Sequence, residues 1–237
     1  MLERDGMNRD ELKRQAGYKA AEYVQSGMAI GLGSGSTAKY ATLRIAELLR
    51  LGELRDVIAV PTSDETEALA KVEGIPLTTL AEHPTLDVTI DGADEVDGAL
   101  NLIKGLGGFL LREKIVAYAT LREIIVVDPT KLVDRLGTKA PVPVEVVRFG
   151  WQNTRAALAR TGARPELRGG EGTPYVTDEG NYILDCWYEG GIEMPQDLAL
   201  QLNAIPGVVE NGLFLGMTAA VVIAAPEGTR VISREKP

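Results

Sequence analysis

The sequence contains a single cysteine and a single histidine among its 237 residues. One cysteine, Cys186, excludes an intrachain disulfide framework and any metal site built from several cysteines. Because Cys186 stands in the alternating run YILDCW, we interpret it as a packed strand residue rather than a nucleophile. The histidine, His83, precedes a proline in AEHPTL and indicates a surface loop, which excludes histidine-dependent triads and multi-histidine metal sites. Any acid/base chemistry must therefore use Asp, Glu, Lys or Tyr.

Long apolar runs and excess positive charge are also missing. No apolar run approaches the roughly 18 to 20 residues needed to span a bilayer, and the polar N-terminus MLERDGMNRDELKRQ is unlike a secretory signal. We therefore expect a cytoplasmic protein with no membrane partner. The net charge of −9 argues against a broad nucleic-acid surface, so no nucleic-acid partner is expected. An anionic ligand would have to be bound locally, by a few lysines and by backbone amides.

Strand-like runs alternate with helical patterns over the first part of the chain. The runs MAIGLG, VIAVPTS, LDVTI and IIVVDPTK are each followed by turn residues or a helical segment. This alternation predicts the α/β class, with a Rossmann-like, doubly wound and mostly parallel sheet. The last run, AAVVIAAPEGTRVIS, is interpreted as a strand, turn and strand that return to this sheet.

A second pattern begins near residue 137. PVPVEVV predicts a strand, residues 151–161 a helix, TPYVTDEGNYILDCWY a hairpin with a DEGN turn, MPQDLALQLNAI a helix and GVVENGLFLG a strand. The order βαββαβ is typical of a ferredoxin-like α+β domain. We therefore predict a Rossmann-like catalytic domain of residues 1–136 plus 214–237, and a smaller lid or oligomerisation domain of residues 137–213.

The stretch DGADEVDGALNLIKGLGGFLLREK, residues 91–114, is the most informative part of the sequence. Asp91 follows the apolar run LDVTI, and ligands of open α/β sheets bind at the carboxyl ends of strands. Lys104 precedes a glycine cluster, which permits unusual backbone angles and the close approach of a ligand. Glu95 and Asp97 are interpreted as solvated loop carboxylates. The stretch predicts an acid/base site for a small anionic substrate.

Glu113 lies on an apolar stripe of the helix that follows this cluster. Phe109 and Leu110 precede it by four and three residues, and Val116 and Ala117 follow by three and four. Burial on such a stripe disfavours the ionised carboxylate and raises its pKa, as a general base working near neutral pH requires. The alternative is a surface glutamate that complements the helix dipole.

The segment GLGSGSTA, residues 31–38, lies between a predicted strand and a predicted helix. Its hydroxyls and glycines suit an anion at a helix N-terminus. It is not a P-loop, because no lysine follows in the required position, and Ser36 replaces the third glycine of the dinucleotide fingerprint. The alternative is a tight turn with an ordinary Ser/Thr cap. The following strand ends in Thr62 and Ser63, which we interpret as a hydroxyl cap.

Six motifs in this order resemble ribose-5-phosphate isomerase type A: GLGSGSTA, TSDETEAL, DGADEVD, IKGLGGFLLREK, VDPTKLVDRLG and PVPVEV. The resemblance runs from about Leu12 to the C-terminal hairpin. It implies a metal-independent enzyme without a cofactor, which interconverts ribose 5-phosphate and ribulose 5-phosphate in the non-oxidative branch of the pentose phosphate pathway. It also implies a homo-oligomer, either a homodimer or a homotetramer. One departure is Leu106, which interrupts the glycines that the family often has after the lysine.

The resemblance also implies roles for individual residues. Glu113 matches the catalytic base, Lys104 stabilises an enediolate together with loop amides, and Asp91 or Asp94 transfers protons among the hydroxyls, including during ring opening. Substrate-binding roles are implied for Lys13, Ser34, Gly35, Ser36, Thr37, Asp91, Gly92, Ala93, Asp94, Lys104, Gly105, Leu106, Gly107 and Lys131. Which aspartate opens the ring stays open.

Two other functions remain as alternatives. An aminosugar-phosphate deaminase or isomerase of similar fold would lean on a histidine, and this chain has only His83. A non-catalytic sugar-phosphate sensor would keep the phosphate loop but would not need the Glu113 and Lys104 pair. Such a sensor is usually joined to a DNA-binding segment, which this acidic chain lacks.

Overall fold

The structure is a computed structural model that describes residues 9–226 and 228–234. Two compact units divide the chain. Unit 1 contains Met1–Gly92, Val116–Thr130 and Thr218–Pro237, as far as these ranges are described, and unit 2 contains Ala93–Ile115 and Lys131–Met217.

The described residues form six α-helices and thirteen β-strands. The helices are α1 Arg9–Ala21, α2 Ala38–Leu51, α3 Asp64–Glu73, α4 Leu110–Tyr118, α5 Trp151–Ala159 and α6 Pro195–Asn203. The strands are β1 Ala29–Leu32, β2 Ile58–Pro61, β3 Val88–Gly92, β4 Glu95–Val96, β5 Leu102–Ile103, β6 Glu123–Val127, β7 Val142–Val146, β8 Arg164–Leu167, β9 Tyr182–Trp187, β10 Val208–Asn211, β11 Leu213–Phe214, β12 Thr218–Ala225 and β13 Gly228–Ser233.

Unit 1 is built on a six-stranded sheet with the order β13-β12-β6-β3-β1-β2. The strands from β12 to β2 pair in parallel, and β13 pairs antiparallel with β12 at the edge. The central strand β6, EIIVV, is buried at all five positions, as expected for a parallel strand covered on both faces. The mostly parallel sheet and the return of the C-terminal hairpin to it are both confirmed.

Local chemistry explains where α3 begins and where α2 and α3 end. The side chain of Ser63 accepts a hydrogen bond from the Thr66 amide and so caps α3. Gly52 and Gly74 follow α2 and α3 in the left-handed conformation, with φ of 73° and 75°. The hydroxyl cap expected after the second strand is therefore confirmed.

Unit 2 contains a four-stranded antiparallel sheet with the order β10-β7-β9-β8. With α5 and α6, the chain order is βαββαβ, so the ferredoxin-like fold is confirmed. The predicted hairpin is wrong in one arm, because β9 pairs with Arg164–Leu167, and no strand lies within TPYVT. Strand β8 was missed because Pro165 and two charged residues in RPEL hide its strand pattern. Cys186 is buried in β9, as predicted, and burial raises the pKa of its thiol.

A three-stranded sheet of unit 2, with the order β11-β5-β4, was not predicted. Each of its strands has two residues, too few for any periodicity. Through this sheet residues 93–115 group with unit 2, whereas the sequence assigned them to the catalytic domain. As a functional division into catalytic domain and lid, the boundaries at residues 137 and 213 stay a prediction. In the described part of the chain, none of the helices is long and apolar enough to cross a membrane.

Candidate active site

The glycine-rich loop of unit 1 connects β1 to α2. A Cβ atom added to Gly33 would lie 2.3 Å from Oδ1 of Asp91, so only glycine lets the loop pass this carboxylate. Gly35 has a φ of 93°, in the left-handed region that favours glycine. The shape of the loop therefore requires both glycines.

The Ser34 hydroxyl is turned away from solvent and toward the loop that follows β2. Its Oγ lies 2.8 Å from Thr62 Oγ1, 2.7 Å from Ser63 Oγ and 3.1 Å from Thr66 Oγ1. This buried hydroxyl cluster joins the ends of two neighbouring strands. The exposed residues of the loop are Gly35 and Ser36, so a ligand would meet these first. Substrate contact by Ser34 itself stays a prediction.

The N-terminus of α2 differs from an ordinary capped helix. Thr37 is its N-cap residue, but the Thr37 side chain makes no capping hydrogen bond. The alternative of an ordinary Ser/Thr cap is therefore wrong at this position. A cavity of about 230 Å³ opens here, lined by Gly33, Gly35, Lys39, Glu65, Thr66 and Leu69. A helix N-terminus with an adjacent cation can bind an anionic group.

Asp91 lies at the end of β3 and is fully buried. Its Oδ1 accepts hydrogen bonds from the amide of Ser34, at 3.1 Å, and from the amide of Gly92, at 2.7 Å. The carboxylate thereby fixes the backbone of the glycine-rich loop. Asp91 and this loop, two of the predicted site segments, are thus brought together, and Asp91 lies near a strand end as predicted.

The central feature of unit 2 is a buried pair of opposite charges. Lys104 follows β5 and is 2% exposed, while Glu113 lies in the first turn of α4 and is 6% exposed. The Lys104 Nζ lies 3.4 Å from Glu113 Oε1. The Lys104 ammonium also lies 5.4 Å from the centroid of the Phe214 ring. The alternative of Glu113 as a surface glutamate is wrong, because its apolar stripe is packed.

The neighbours of Glu113 along α4 hold the helix in place. Arg112 pairs with Glu179, and its Nη1 lies 3.7 Å from Asp178 Oδ2. Lys114 Nζ lies 2.8 Å from Glu210 Oε1 and also donates to the Asn211 carbonyl. Burial lowers the pKa of Lys114, and the charge of Glu210 partly offsets this effect. Charged contacts on both sides of Glu113 therefore limit rotation of the helix.

Asp94 contacts the glycine-containing loop that follows Lys104. Its Oδ2 accepts a hydrogen bond of 3.0 Å from the amide of Leu106, and its own amide donates to the Ile103 carbonyl at 2.8 Å. Gly105 and Gly108 have φ of 105° and 96°, so the turn depends on glycine at both positions. Unit 2 thus brings together Asp94, this loop, Lys104 and Glu113, while Gly107 lies exposed within the loop.

The remaining predicted residues are less strongly fixed by printed contacts. Lys13 lies on α1, where its Nζ is 3.9 Å from Asp10 Oδ1. Lys131 ends a short 3-10 turn after β6. Gly92 ends β3, and Ala93 follows it half-buried. Substrate contacts by these four residues stay predictions.

The structure corrects one interpretation and adds two residues. Glu95 is not a solvated loop carboxylate, because it is fully buried and accepts hydrogen bonds from the amides of Gly137, Lys139 and Ala140. Lys39, beside the uncapped end of α2, was missed; the signal was a cation in the first turn, where the helix dipole disfavours it. Arg168, which contacts the loop after Lys104, was also missed and carries no signal in the sequence.

These features define an acid/base enzyme of the α/β class that acts on a small anionic substrate. Within unit 1, the N-terminus of α2 lacks a side-chain cap and the adjoining loop contacts the strand-end Asp91. Within unit 2, Lys104 and Glu113 form a buried pair of opposite charges. Comparison with known proteins makes the class specific. The model of the ribose 5-phosphate isomerase A family, also called phosphoriboisomerase A, matches residues 58–228. The chain belongs to this family.

Individual relatives are similar over almost the whole chain. Ribose-5-phosphate isomerase A of Gloeobacter violaceus is 54% identical over 228 residues, which cover 96% of this chain and 98% of the relative. A D-ribose-5-phosphate isomerase solved in complex with phospho-erythronic acid is 41% identical, with a TM-score of 0.92 over 96% of this chain and 100% of that one. The Plasmodium falciparum ribose 5-phosphate isomerase is 40% identical, with the same TM-score and coverage.

Proposed function

We propose that this chain interconverts D-ribose 5-phosphate and D-ribulose 5-phosphate through an enediolate. The observation that carries the proposal is the buried Lys104–Glu113 pair, with 3.4 Å between Nζ and Oε1. Membership of the ribose 5-phosphate isomerase A family identifies the substrate class. The relative solved with phospho-erythronic acid binds a four-carbon phosphorylated acid, which supports a phosphosugar ligand.

Glu113 is the base in this reaction. In the aldose-to-ketose direction its carboxylate takes the proton from C2 and returns it to C1, so the group ends in its starting state. A base with this task must be fixed relative to the carbon atoms, and the contacts of Arg112 and Lys114 hold α4 for that purpose.

Lys104 stabilises the charge that develops on the substrate oxygens. Its ammonium is held in a dry environment between Glu113 and the face of Phe214, where a charge interacts more strongly than in water. Amides of the loop after Lys104 add fixed donors. This arrangement needs no metal ion as a Lewis acid.

The phosphate group binds at the glycine-rich loop and the N-terminus of α2. The exposed Ser36, the uncapped Thr37 and the cation of Lys39 support this assignment. Lys13 and Lys131 are the further lysines proposed to contact the substrate.

Asp91 and Asp94 have different surroundings, which suggests different tasks. Asp91 accepts a hydrogen bond that orders the glycine-rich loop, and Asp94 accepts a hydrogen bond from the Leu106 amide. Either carboxylate can relay protons among the substrate hydroxyls and assist ring opening.

Three further properties are proposed from the sequence and the family. The protein is cytoplasmic, it forms a homodimer or a homotetramer, and its ferredoxin-like part serves as a lid or an assembly surface. Light scattering on a size-exclusion column distinguishes the two assemblies by mass.

The experiment that tests the function is a conversion assay. The protein is incubated with ribose 5-phosphate in excess chelator, and ribulose 5-phosphate is measured. We expect full conversion to equilibrium. Conversion that chelator abolishes would refute the metal-free mechanism, and absence of conversion with and without chelator would favour a sugar-phosphate sensor.

A further inference from the structure

Arg168 follows β8 and contacts the loop after Lys104. Its Nη1 donates to the Gly105 carbonyl at 2.9 Å and to the Leu106 carbonyl at 3.1 Å. Its Nε donates to Asp185 Oδ2 at 2.9 Å, and its Nη2 donates to Asp185 Oδ1. The carboxylate of Asp185 therefore binds the guanidinium through two hydrogen bonds and orients it. The remaining nitrogen, Nη1, donates to the carbonyls of two successive residues.

The backbone and the aromatic neighbour of Arg168 fix its position further. The Arg168 amide donates to the Ile183 carbonyl at 2.9 Å, and its carbonyl accepts the Tyr175 amide at 2.8 Å. The guanidinium carbon lies 5.8 Å from the centroid of the Tyr175 ring. The side chains of Arg168 and Asp185 are only 15% and 18% exposed. A planar guanidinium with five N–H donors can bind the Asp185 carboxylate and both carbonyls at once, whereas a lysine ammonium could bind only some of these partners.

These contacts determine where the amides of the loop point. In a planar trans peptide the N–H points opposite to the preceding C=O. Because Arg168 holds the Gly105 carbonyl, the Leu106 amide points away from Arg168, and it donates to Asp94. Because Arg168 also holds the Leu106 carbonyl, the Gly107 amide is likewise directed away from Arg168.

We propose that Arg168, oriented by Asp185, is a positioning residue for the isomerisation, which aims the Leu106 and Gly107 amides. The Leu106 amide orients Asp94, and the Gly107 amide acts with Lys104 as a donor to the developing negative charge. The inference rests on the proposed function, and it adds a residue that touches neither the substrate nor the reacting atoms.

The test compares Arg168→Met and Arg168→Lys with Arg164→Met as a matched control. Arg164 is the first residue of β8, and among the described residues its side chain pairs only with the exposed Glu166. Replacing Arg164 should therefore leave the loop after Lys104 unchanged. For each variant we measure kcat and KM with ribose 5-phosphate, and the affinity for phospho-erythronic acid, whose carboxylate carries negative oxygens as the enediolate does. Urea unfolding establishes that each variant is folded under assay conditions.

If the Leu106 and Gly107 amides point in the wrong direction, the charged intermediate should be destabilised more than the bound substrate. We expect Arg168→Met to lower kcat about 10- to 100-fold and to weaken binding of phospho-erythronic acid by a similar factor, with KM within about threefold of wild type. Arg168→Lys should show an intermediate loss in both quantities, and Arg164→Met should match wild type. If Arg168 had a purely structural role, its replacement would lower the fraction of folded protein. It would not lower the kcat of the folded enzyme while leaving KM unchanged.

Several outcomes would overturn the proposal. One is a kcat within about threefold of wild type in folded Arg168→Met or, if that variant does not fold, in Arg168→Lys. Others are a raised KM at constant kcat, and a lower kcat with unchanged affinity for phospho-erythronic acid. If wild type and Arg164→Met convert the substrate in these cases, the proposed function stands and only the role of Arg168 fails. An inactive wild type would overturn both.

Discussion

Glu113 and Glu145 are both buried glutamates of unit 2, yet their carboxylates meet different partners. Glu113 lies on α4 beside the ammonium of Lys104. Glu145 lies on β7, where its Oε1 accepts hydrogen bonds from Thr177 Oγ1 at 2.8 Å and from Asn181 Nδ2 at 2.9 Å. A cation accompanies the first carboxylate, and neutral donors accompany the second.

This difference supports the proposed chemical role of Glu113 and indicates a structural role for Glu145. Burial raises the pKa of Glu145, hydrogen bonds from Asn181 and Thr177 partly offset the rise, and the charges of Glu179 and Asp178 add to it. Its donors, Thr177 and Asn181, lie in the loop that precedes β9. Their hydrogen bonds to Glu145 attach this loop to β7. Glu113 instead lies beside the ammonium of Lys104, which suits the proton-transfer role proposed above. Burial alone therefore does not identify the base.

The largest expected effect comes from changing each carboxylate to its amide. Glu113→Gln should lose about 100- to 10,000-fold in kcat, because an amide cannot accept the C2 proton, and it should still bind ribose 5-phosphate. Glu145→Gln keeps an oxygen acceptor for Thr177 and Asn181, so its kcat should stay within about threefold of wild type. Steady-state kinetics and calorimetric titration measure the two quantities. Activity of folded Glu113→Gln within about tenfold of wild type would remove Glu113 from the base role.

A second, smaller pair of effects comes from removing the partner of each carboxylate. Lys104→Met should lower kcat about 100- to 1000-fold and weaken substrate binding, because it removes a donor to the developing charge. Thr177→Val removes one neutral hydrogen bond to Glu145 and should cost about 1 kcal/mol of the free energy of unfolding, with little change in kcat. Kinetics and urea unfolding of both variants provide the comparison. An unchanged rate in Lys104→Met would assign enediolate stabilisation to the amides alone.

The smallest expected effect is a pH dependence of stability that originates at Glu145. The folded protein binds a proton at Glu145 more tightly than the unfolded chain does, because its folded-state pKa is raised. This contribution to stability is present at acidic pH and is lost as the pH rises from the unfolded value of about 4.3 through the folded value.

The free energy of unfolding of wild type minus that of Glu145→Gln should therefore decrease over this pH range. Urea unfolding at a series of pH values measures the difference. A difference that stays constant, or that grows with pH, would contradict the raised pKa.

Strong periodic patterns allowed much of the fold to be predicted. The runs that form β1, β2, β3 and β6 are short, apolar and bounded by turn residues, and all four lie in the predicted sheet. The prediction failed where the signal is short or masked. Strand β8 contains Pro165 and charged residues, and the two-residue strands of the third sheet have no period at all.

The candidate site shows the same limit at the level of side chains. The burial of Glu113 could be predicted from its helix stripe, because spacing along a helix is a local property. Three other features could not be predicted. They are the burial of Glu95, the direction of the Ser34 hydroxyl toward Thr62, and the hydrogen bonds from Arg168 to the carbonyls of residues 105 and 106. Their partners lie 28 to 63 residues away in the chain.

The family, the parallel sheet and the candidate pair Lys104 and Glu113 could all be read from the sequence. These follow from ordered motifs and local periodicity, which need no knowledge of distant contacts. The three-dimensional structure was needed to show that Lys104 and Glu113 are buried 3.4 Å apart and that Glu145 has neutral donors. It was also needed to show that Arg168 donates to the carbonyls of Gly105 and Leu106. Protonation, desolvation and amide direction depend on what packs around a group, and folding brings those neighbours from remote parts of the chain.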